Sequence, residues 1–304
     1  MKLAVIGGGG LLGSTTAFLA ACKGLFEEIY LIGRRQNVVK SHVMDMDMTM
    51  RALSNTRIYE GTYDCLNGCD VILFTASPPE REVDNRNEYL KGNISLVQEI
   101  LEQIAARCEN KIILVATNPI DIFNYINHKV LGWRRNYFLG YSQNDTMRLC
   151  WALADITGEP CADFEAYVLG EHGDLQIPVF EHVLLGGKPY IVEKKVKEKA
   201  LEMVSTYFRT FQALDAKRTS GWTSAVGMAA MLEAIVNETD EIFACSAVLQ
   251  GEYGEQDVSM GVPVRLGRMG IREIVELPLA KETRERFGFV AEELRARIRA
   301  VGMI

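Results

Sequence analysis

The sequence predicts an α/β fold in two parts: a dinucleotide-binding domain on a parallel sheet, then an α+β catalytic domain. The chain opens strand, glycine loop, helix, the order that a dinucleotide site of the Rossmann type requires. Two further buried strands, Val71–Thr75 and Lys111–Ala116, each run into a polar loop. After about Gly140 the alternation of short strands and helices loses its regularity. The division is placed at 1–143 for the dinucleotide-binding domain and 144–304 for the substrate-binding, catalytic domain.

Composition bounds the rest. The 304 residues are 48% apolar and 24% charged, as in globular proteins, and exceed what one core usually organises. A net charge of -7 argues against nucleic acid or an anionic membrane as partner. No apolar run is long enough to span a bilayer. The apolar N-terminus meets a glycine loop in place of a cleavage site, so no targeting segment is expected. The seven cysteines are odd in number and scattered. They predict free thiols in a reducing, cytoplasmic setting, with no metal site.

Lys2–Ile6 is a short apolar run with β-branched residues and reads as a buried strand. Gly7, Gly8, Gly10 and Gly13 follow, with Leu11 and Leu12 between the last two, and Ser14–Lys23 reads as helix. Such glycines permit the tight turn and the close approach of a pyrophosphate, which the helix N-terminus then faces. Taken alone the loop also fits a merely flexible connection. Glu28–Ile32 reads as the second strand. An acid is expected at its end to bind the adenosine ribose. Gly33 stands there instead, followed by Arg34 and Arg35. Losing the acid removes repulsion toward a phosphate, and guanidinium groups bind phosphate bidentately. The pattern predicts NADP over NAD; the other reading is a solvated surface pair.

Val43–Leu53 reads as a methionine-rich helix suited to packing or a subunit contact. Thr75 and Ala76 close the third strand beside the expected cofactor path, before Ser77-Pro78-Pro79. A charged loop holds Glu80, Arg81 and Arg86. Asn87–Arg107 reads as a long helix, and Thr117-Asn118-Pro119 ends the next strand. Asp145–Thr157 is read as helix, Phe164–Leu169 as one strand, and 178–195 as hairpin material around Gly186-Gly187. Helices are expected over Val196–Ala216, Ser224–Asn237 and Lys281–Met303, with strands at Phe243–Gln250 and Val262–Leu266.

These residues resemble the lactate/malate dehydrogenase superfamily over essentially the whole chain. The likeness rests on the glycine loop, Thr117–Asp121, Asp145-Thr146-Met147-Arg148, Gly170–Asp174, Thr223-Ser224 and Val262–Gly267, in that order. It implies that His172 is the proton donor and acceptor at the substrate oxygen and that Asp145 pairs with its other ring nitrogen. It implies that Arg148 binds the substrate carboxylate and that Arg86 closes over the site and polarises the carbonyl. Asn118 would contact both carbonyl and cofactor, and Thr223 would lie beside the substrate. The family usually forms homodimers or homotetramers, with a small 2-oxo or 2-hydroxy acid as partner.

Elementary chemistry suits these roles. Hydride addition to a ketone creates an alkoxide, which a protonated histidine and an arginine stabilise. A carboxylate raises the histidine pKa and fixes its tautomer. Singly, Asp145 and Arg148 fit an ordinary surface ion pair and Arg86 a solvated cation; their joint order carries the catalytic reading.

The sequence departs from the family at Gly33, at Tyr141-Ser142-Gln143-Asn144, which reads one residue shorter than usual, and at Glu80. By the resemblance, Glu80 holds the position that selects the substrate side chain. Malate enzymes carry arginine there and lactate enzymes glutamine. A glutamate repels a second carboxylate and attracts a cationic or hydroxyl group; a shifted loop would present Arg81 and restore dicarboxylate specificity. The expected activity is an NADP-preferring 2-hydroxyacid dehydrogenase acting as a 2-oxoacid reductase. The rivals are an NAD-linked lactate or malate dehydrogenase, and a non-catalytic dinucleotide-binding protein on the same fold.

Overall fold

The computed structural model describes residues 1–77, 86–216 and 221–302, with the backbone alone over 86–92. Its first part carries β1 (Lys2–Ile6), α1 (Leu11–Cys22), β2 (Glu28–Ile32), α2 (Gln36–Leu53), β3 (Arg57–Glu60) and β4 (Val71–Phe74). It continues with α3 (Arg86–Ala105), β5 (Ile112–Val115), α4 (Ile120–Leu131) and β6 (Phe138–Tyr141). All six strands pair in parallel, in the order β3-β2-β1-β4-β5-β6. Strands β4 and β5 are buried at every position, as a sheet covered on both faces requires. The strand order reverses beside β1, which opens the crevice where such sheets hold a dinucleotide.

The second part holds α5 (Gln143–Thr157), β7 (Phe164–Glu165), β8 (Val168–Gly170), β9 (Gln176–Pro178), β10 (Leu184–Leu185) and β11 (Lys188–Pro189). It ends with α6 (Lys194–Ala213), α7 (Trp222–Asn237), β12 (Ile242–Gln250), β13 (Gln256–Gly267), β14 (Gly270–Ile274) and α8 (Lys281–Val301). The main sheet does not stop at the end of the parallel part. Strand β6 pairs antiparallel with β12, and β13, β8 and β9 follow, with β14 on β13. This antiparallel extension, covered by segregated helices, is the α+β part. One large core surrounds the sheet and includes Phe74, Phe123 and Phe138; a smaller one, with Leu149, Leu153, Ala200 and Val204, lies between α5 and α6. Among the described residues no helix is long and apolar enough to cross a membrane.

Several elements differ from the sequence expectation. The run 164–169 is not one strand. It breaks at Ala166-Tyr167: β7 joins a small sheet with β10 and β11, whereas β8 joins the main sheet. An apolar run does not record that different neighbours claim its two halves. Helix α2 starts at Gln36, seven residues before the expected Val43, because its buried stripe is Val39, Met46 and Met50; Met44 and Met48 face outward. The expected turn at Gly186-Gly187 exists, both glycines having positive φ, but its strands are very short. Strands β3, β6 and β14 and helix α4 were not anticipated.

Candidate active site

The opening glycine loop is built to let something approach. A Cβ at Gly7, whose φ is +99°, would lie 2.7 Å from the Ala76 nitrogen; one at Gly13 would lie 2.7 Å from the Gly7 carbonyl oxygen. The turn therefore closes only with glycine at these positions. No side chain caps α1 and no acid stands in its first turn. Its N-terminus keeps backbone donors and positive dipole for an anion, so the residues fit a pyrophosphate. Thr75 and Ala76 line the far wall. Thr75 Oγ1 donates to the Ile6 carbonyl at 3.1 Å, and Thr117 Oγ1 donates to the Ala76 carbonyl at 2.7 Å, binding the strand ends together.

At the end of β2, a Cβ on Gly33 would fall 2.9 Å from Val39 Cγ2 and 3.4 Å from the Gly9 nitrogen. The place of the missing acid is thus closed by α2 and the glycine loop. Arg34 and Arg35 are exposed, and Arg34 Nη2 donates to the Ser77 carbonyl at 3.4 Å, reaching across the crevice. Arg35 sits at the N-cap of α2.

Beyond the crevice, α5 and the turn after β8 meet. Asp145, in the first turn of α5, is buried and reaches two cationic groups. Its Oδ2 lies 2.6 Å from His172 Nδ1, and its Oδ1 accepts from Arg148 Nη1 at 3.1 Å. Asp145 and Arg148 stand three apart, on one face of the helix. His172 keeps 18% of its side chain exposed, and among the described residues Nε2 has no hydrogen-bond partner. One nitrogen is thus anchored and the other presented. Burial pulls the His172 pKa down, but the Asp145 charge and hydrogen bond outweigh it and the net shift is upward.

The turn that carries His172 is itself fixed. Gly170 has φ +86° and pairs with Gly261 of β13, where a Cβ would stand 3.0 Å from the Gly170 carbonyl oxygen. Glu171 accepts from Arg297 of α8 at 2.5 Å and from the Leu175 N–H at 3.1 Å. Asp121, in the first turn of α4, accepts the His172 backbone N–H at 2.7 Å and is 2% exposed. Arg148 is 14% exposed, and its guanidinium lies 4.7 Å from the centroid of the Tyr207 ring on α6. Trp151 meets Tyr207 edge-on at 5.8 Å and Phe211 stacks on it at 6.4 Å. This aromatic group backs the arginine with a cation–π contact.

His172, Asp145 and Arg148 therefore come together, and Thr75 and Ala76 pack against Gly7 and Gly13 of the glycine loop. Asn118 is exposed just past β5, its carbonyl accepting from Asn93 Nδ2 at 3.1 Å. Thr223 is exposed in the first turn of α7 and makes no hydrogen bond to His172, Asp145 or Arg148. Glu80 and Arg81 lie outside the described residues. Arg86 opens α3, but its side chain lies outside them too. Sequence reasoning missed Asp121, Glu171 with Arg297, and Tyr207. Asp121 was visible inside the Thr117–Asp121 motif; nothing in the sequence pointed to Tyr207. Among the described residues no group of three or more His, Cys, Asp or Glu is placed to hold a metal.

Known proteins match the chain over nearly its whole length. A family profile described as lactate/malate dehydrogenase, NAD binding domain, matches residues 1–140, and one described as the alpha/beta C-terminal domain matches residues 143–302. An L-lactate dehydrogenase of Geobacillus kaustophilus is 32% identical over 302 residues, spanning 97% of this chain and 95% of that one. A malate dehydrogenase of Nitrosococcus oceani is 30% identical over 302 residues, spanning 97% and 96%. The solved structure of a minor L-lactate dehydrogenase from Enterococcus mundtii superposes with a TM-score of 0.91 at 25% identity, covering 99% of this chain and 98% of that one.

Proposed function

The chain belongs to the lactate/malate dehydrogenase family and is a nicotinamide-dependent 2-hydroxyacid dehydrogenase; we propose that it prefers NADP and works chiefly as a 2-oxoacid reductase, with His172 as its acid and base. The observation that carries the chemistry is the Asp145 carboxylate bridging His172 and Arg148.

The nicotinamide, when bound, supplies the hydride to the carbonyl carbon. The chain supplies the rest. Arg148 grips the substrate carboxylate with guanidinium N–H groups that Asp145 and the Tyr207 ring leave open. His172, held as imidazolium by Asp145, gives the Nε2 proton to the oxygen as charge develops there. Asp145 keeps the Nδ1 proton in place, which fixes the tautomer and orients the ring. In this reading Arg86 and Asn118 polarise the carbonyl and Thr223 flanks the substrate. Glu80 and Arg81 divide the choice of substrate side chain between a cationic or hydroxyl group and a second carboxylate.

The cofactor preference rests on Gly33. Its side-chain space is taken by Val39, so no acid repels a 2′-phosphate, and Arg34 and Arg35 stand at the rim to receive one. The Arg34 bond to Ser77 favours a second reading, an NAD-linked enzyme in which these arginines serve the surface. We also propose a homodimer or homotetramer, with the exposed Met44 and Met48 of α2 in a subunit contact, and a functional division near residue 143.

A 2-oxoacid panel assayed with both cofactors tests the reading. The expected result is a higher kcat/KM with NADPH than with NADH. Preference for NADH overturns the cofactor assignment, and no turnover of any 2-oxoacid overturns the reductase. In the same panel, loss of oxaloacetate reduction in Arg81→Ala but not in Glu80→Gln removes the cationic-substrate option.

A further inference from the structure

His172 is fastened on three sides. Its ring is held by Asp145 of α5 and its backbone N–H by Asp121 of α4. The third side is its own turn, and there the fastening runs through Glu171. Oε2 of that carboxylate accepts the Leu175 N–H at 3.1 Å, and Oε1 accepts from Arg297 Nη1. A Cβ at Gly173 would lie 3.1 Å from the Glu171 carboxyl carbon and 3.1 Å from Oε1, so the carboxylate is folded back over the turn. The Gly173 N–H closes on the Glu171 carbonyl at 2.9 Å. The turn between β8 and β9 is thus wrapped around one carboxylate.

That carboxylate needs a cation. The Glu171 side chain is only 10% exposed, and a carboxylate withdrawn from water is costly unless it is paired. Among the described residues its one ion pair is with Arg297, 126 residues away on the last helix. Helix α8 packs Phe287, Val290, Leu294 and Ile298 into the main core, and Arg297 stands at the margin of that stripe, 42% exposed. Its neighbours are engaged elsewhere: Arg295 pairs with Glu255 and Glu292, and Arg299 with Glu292. Of the three arginines, Arg297 alone serves the turn.

We propose that Arg297 is a positioning residue of the reductase: through Glu171 it holds the turn in the conformation that aims His172 Nε2 at the substrate oxygen. Without the guanidinium, Glu171 is left with no counter-charge and swings toward water, releasing the Leu175 N–H and the turn with it. Asp145 and Arg148 stay in place on α5. The grip on the substrate carboxylate therefore survives while proton delivery suffers. The inference rests on His172 as the acid and base, and on neither the cofactor preference nor the substrate side chain.

The test is steady-state kinetics of the full chain at saturating cofactor, with a 2-oxoacid that the wild type reduces. Arg297→Ala should lose about 10- to 100-fold in kcat, the cost of a misplacement of about 1 Å. The KM for the 2-oxoacid and the Kd of the cofactor should stay near their wild-type values. Arg297→Lys keeps the charge and should recover most of the kcat. Guanidinium ion, added to Arg297→Ala far below denaturing concentrations, should recover part of it, because the position is open to solvent; sodium at equal ionic strength should not. Arg299→Ala, on the same helix, should match the wild type. Arg297 acts through His172, so Arg297→Ala with His172→Gln should be no slower than His172→Gln alone. Multiplied losses in that pair overturn the proposal and leave His172 in its role. Wild-type kcat in His172→Gln overturns the acid/base reading itself, and the proposal with it. Unchanged kcat in Arg297→Ala, a loss confined to KM, or an equal loss in Arg299→Ala, which would mark a loosened helix, each overturns the proposal alone. If Arg297→Ala does not fold, Arg297→Gln, which keeps part of the stem and a neutral donor, carries the same comparisons.

Discussion

The Asp121 carboxylate accepts the backbone N–H of His172 at 2.7 Å, tying the turn that carries Asn118 to the turn that carries the imidazole. The two meet only in the folded chain, since they leave different strands of one sheet. The link is buried, and that has a consequence for stability.

Burial pushes the Asp121 carboxyl up to about 6, against the pull of the Ser246 hydroxyl and the His172 N–H. The folded chain therefore holds a proton there that the unfolded chain has released. That contribution is fully present below the ordinary carboxylate pKa of about 4 and is lost as pH rises through about 6. Asp121→Asn lacks it. Relative to the variant, the wild type should lose up to about 3 kcal/mol between about pH 4 and about pH 7. Urea melts across that range check this; a constant difference would show that Asp121 does not titrate there.

Asp145 raises the His172 pKa, so in the proposed mechanism the protonated form that reduces persists to higher pH. Reduction should slow as pH rises through that pKa. In Asp145→Asn the same fall should come at lower pH, because the charge that held the proton has gone. His172→Gln should lose on the order of 10²- to 10⁴-fold in kcat, the usual worth of a positioned proton donor. The pH profiles of kcat/KM are the measurement. An unmoved inflection in Asp145→Asn would mean that His172 is not the titrating group.

Tyr207 faces the Arg148 guanidinium at 4.7 Å. Tyr207→Leu should raise the KM for the 2-oxoacid about 2- to 30-fold, the value of a cation–π contact between exposed and desolvated limits. The kcat should change little, and Tyr207→Phe should behave as wild type. Equal losses in both variants would point to the hydroxyl and away from the ring face.

Restoring the acid at Gly33 should not work in one step. Gly33→Asp places a Cβ 2.9 Å from Val39 Cγ2, so the single variant should lose stability, about 1 to 3 kcal/mol as for other overpacked sites. Gly33→Asp with Val39→Ala should relieve that strain and shift the kcat/KM ratio toward NADH. Arg34→Ala with Arg35→Ala should weaken NADPH and leave NADH nearly unchanged. An unchanged ratio in both would put the arginines at the surface and not at a phosphate.

Much of the site was legible because its residues sit in short, local patterns. The glycine loop, Asp145 with Arg148, and the acid-flanked His172 each announce a chemistry within a few positions. Helix existence was legible too, since α1, α5, α7 and α8 carry strong runs, although α2 was misjudged at its start because the polar residues on either side of Val38 and Val39 hid the buried valine, Val39. Strand β3 and helix α4 went unread for a different reason. β3 has only four residues, and α4 buries Asp121, Asn124 and Asn127 along with its apolar side chains, so burial against distant elements, not local pattern, decides their form.

By itself the sequence determined the local chemistry of this protein. A turn that admits only glycine, an acid and an arginine one helical turn apart, and an imidazole between glycines follow from backbone sterics and side-chain type. The tertiary structure alone decided which of these groups face one another. It set Asp121 under His172, Tyr207 under Arg148, Val39 into the space beside Gly33 and the Tyr141 phenol against Gly227. The physical reason is that these contacts join elements far apart in the chain, and their geometry is fixed by the packing of strands and helices that no local pattern encodes.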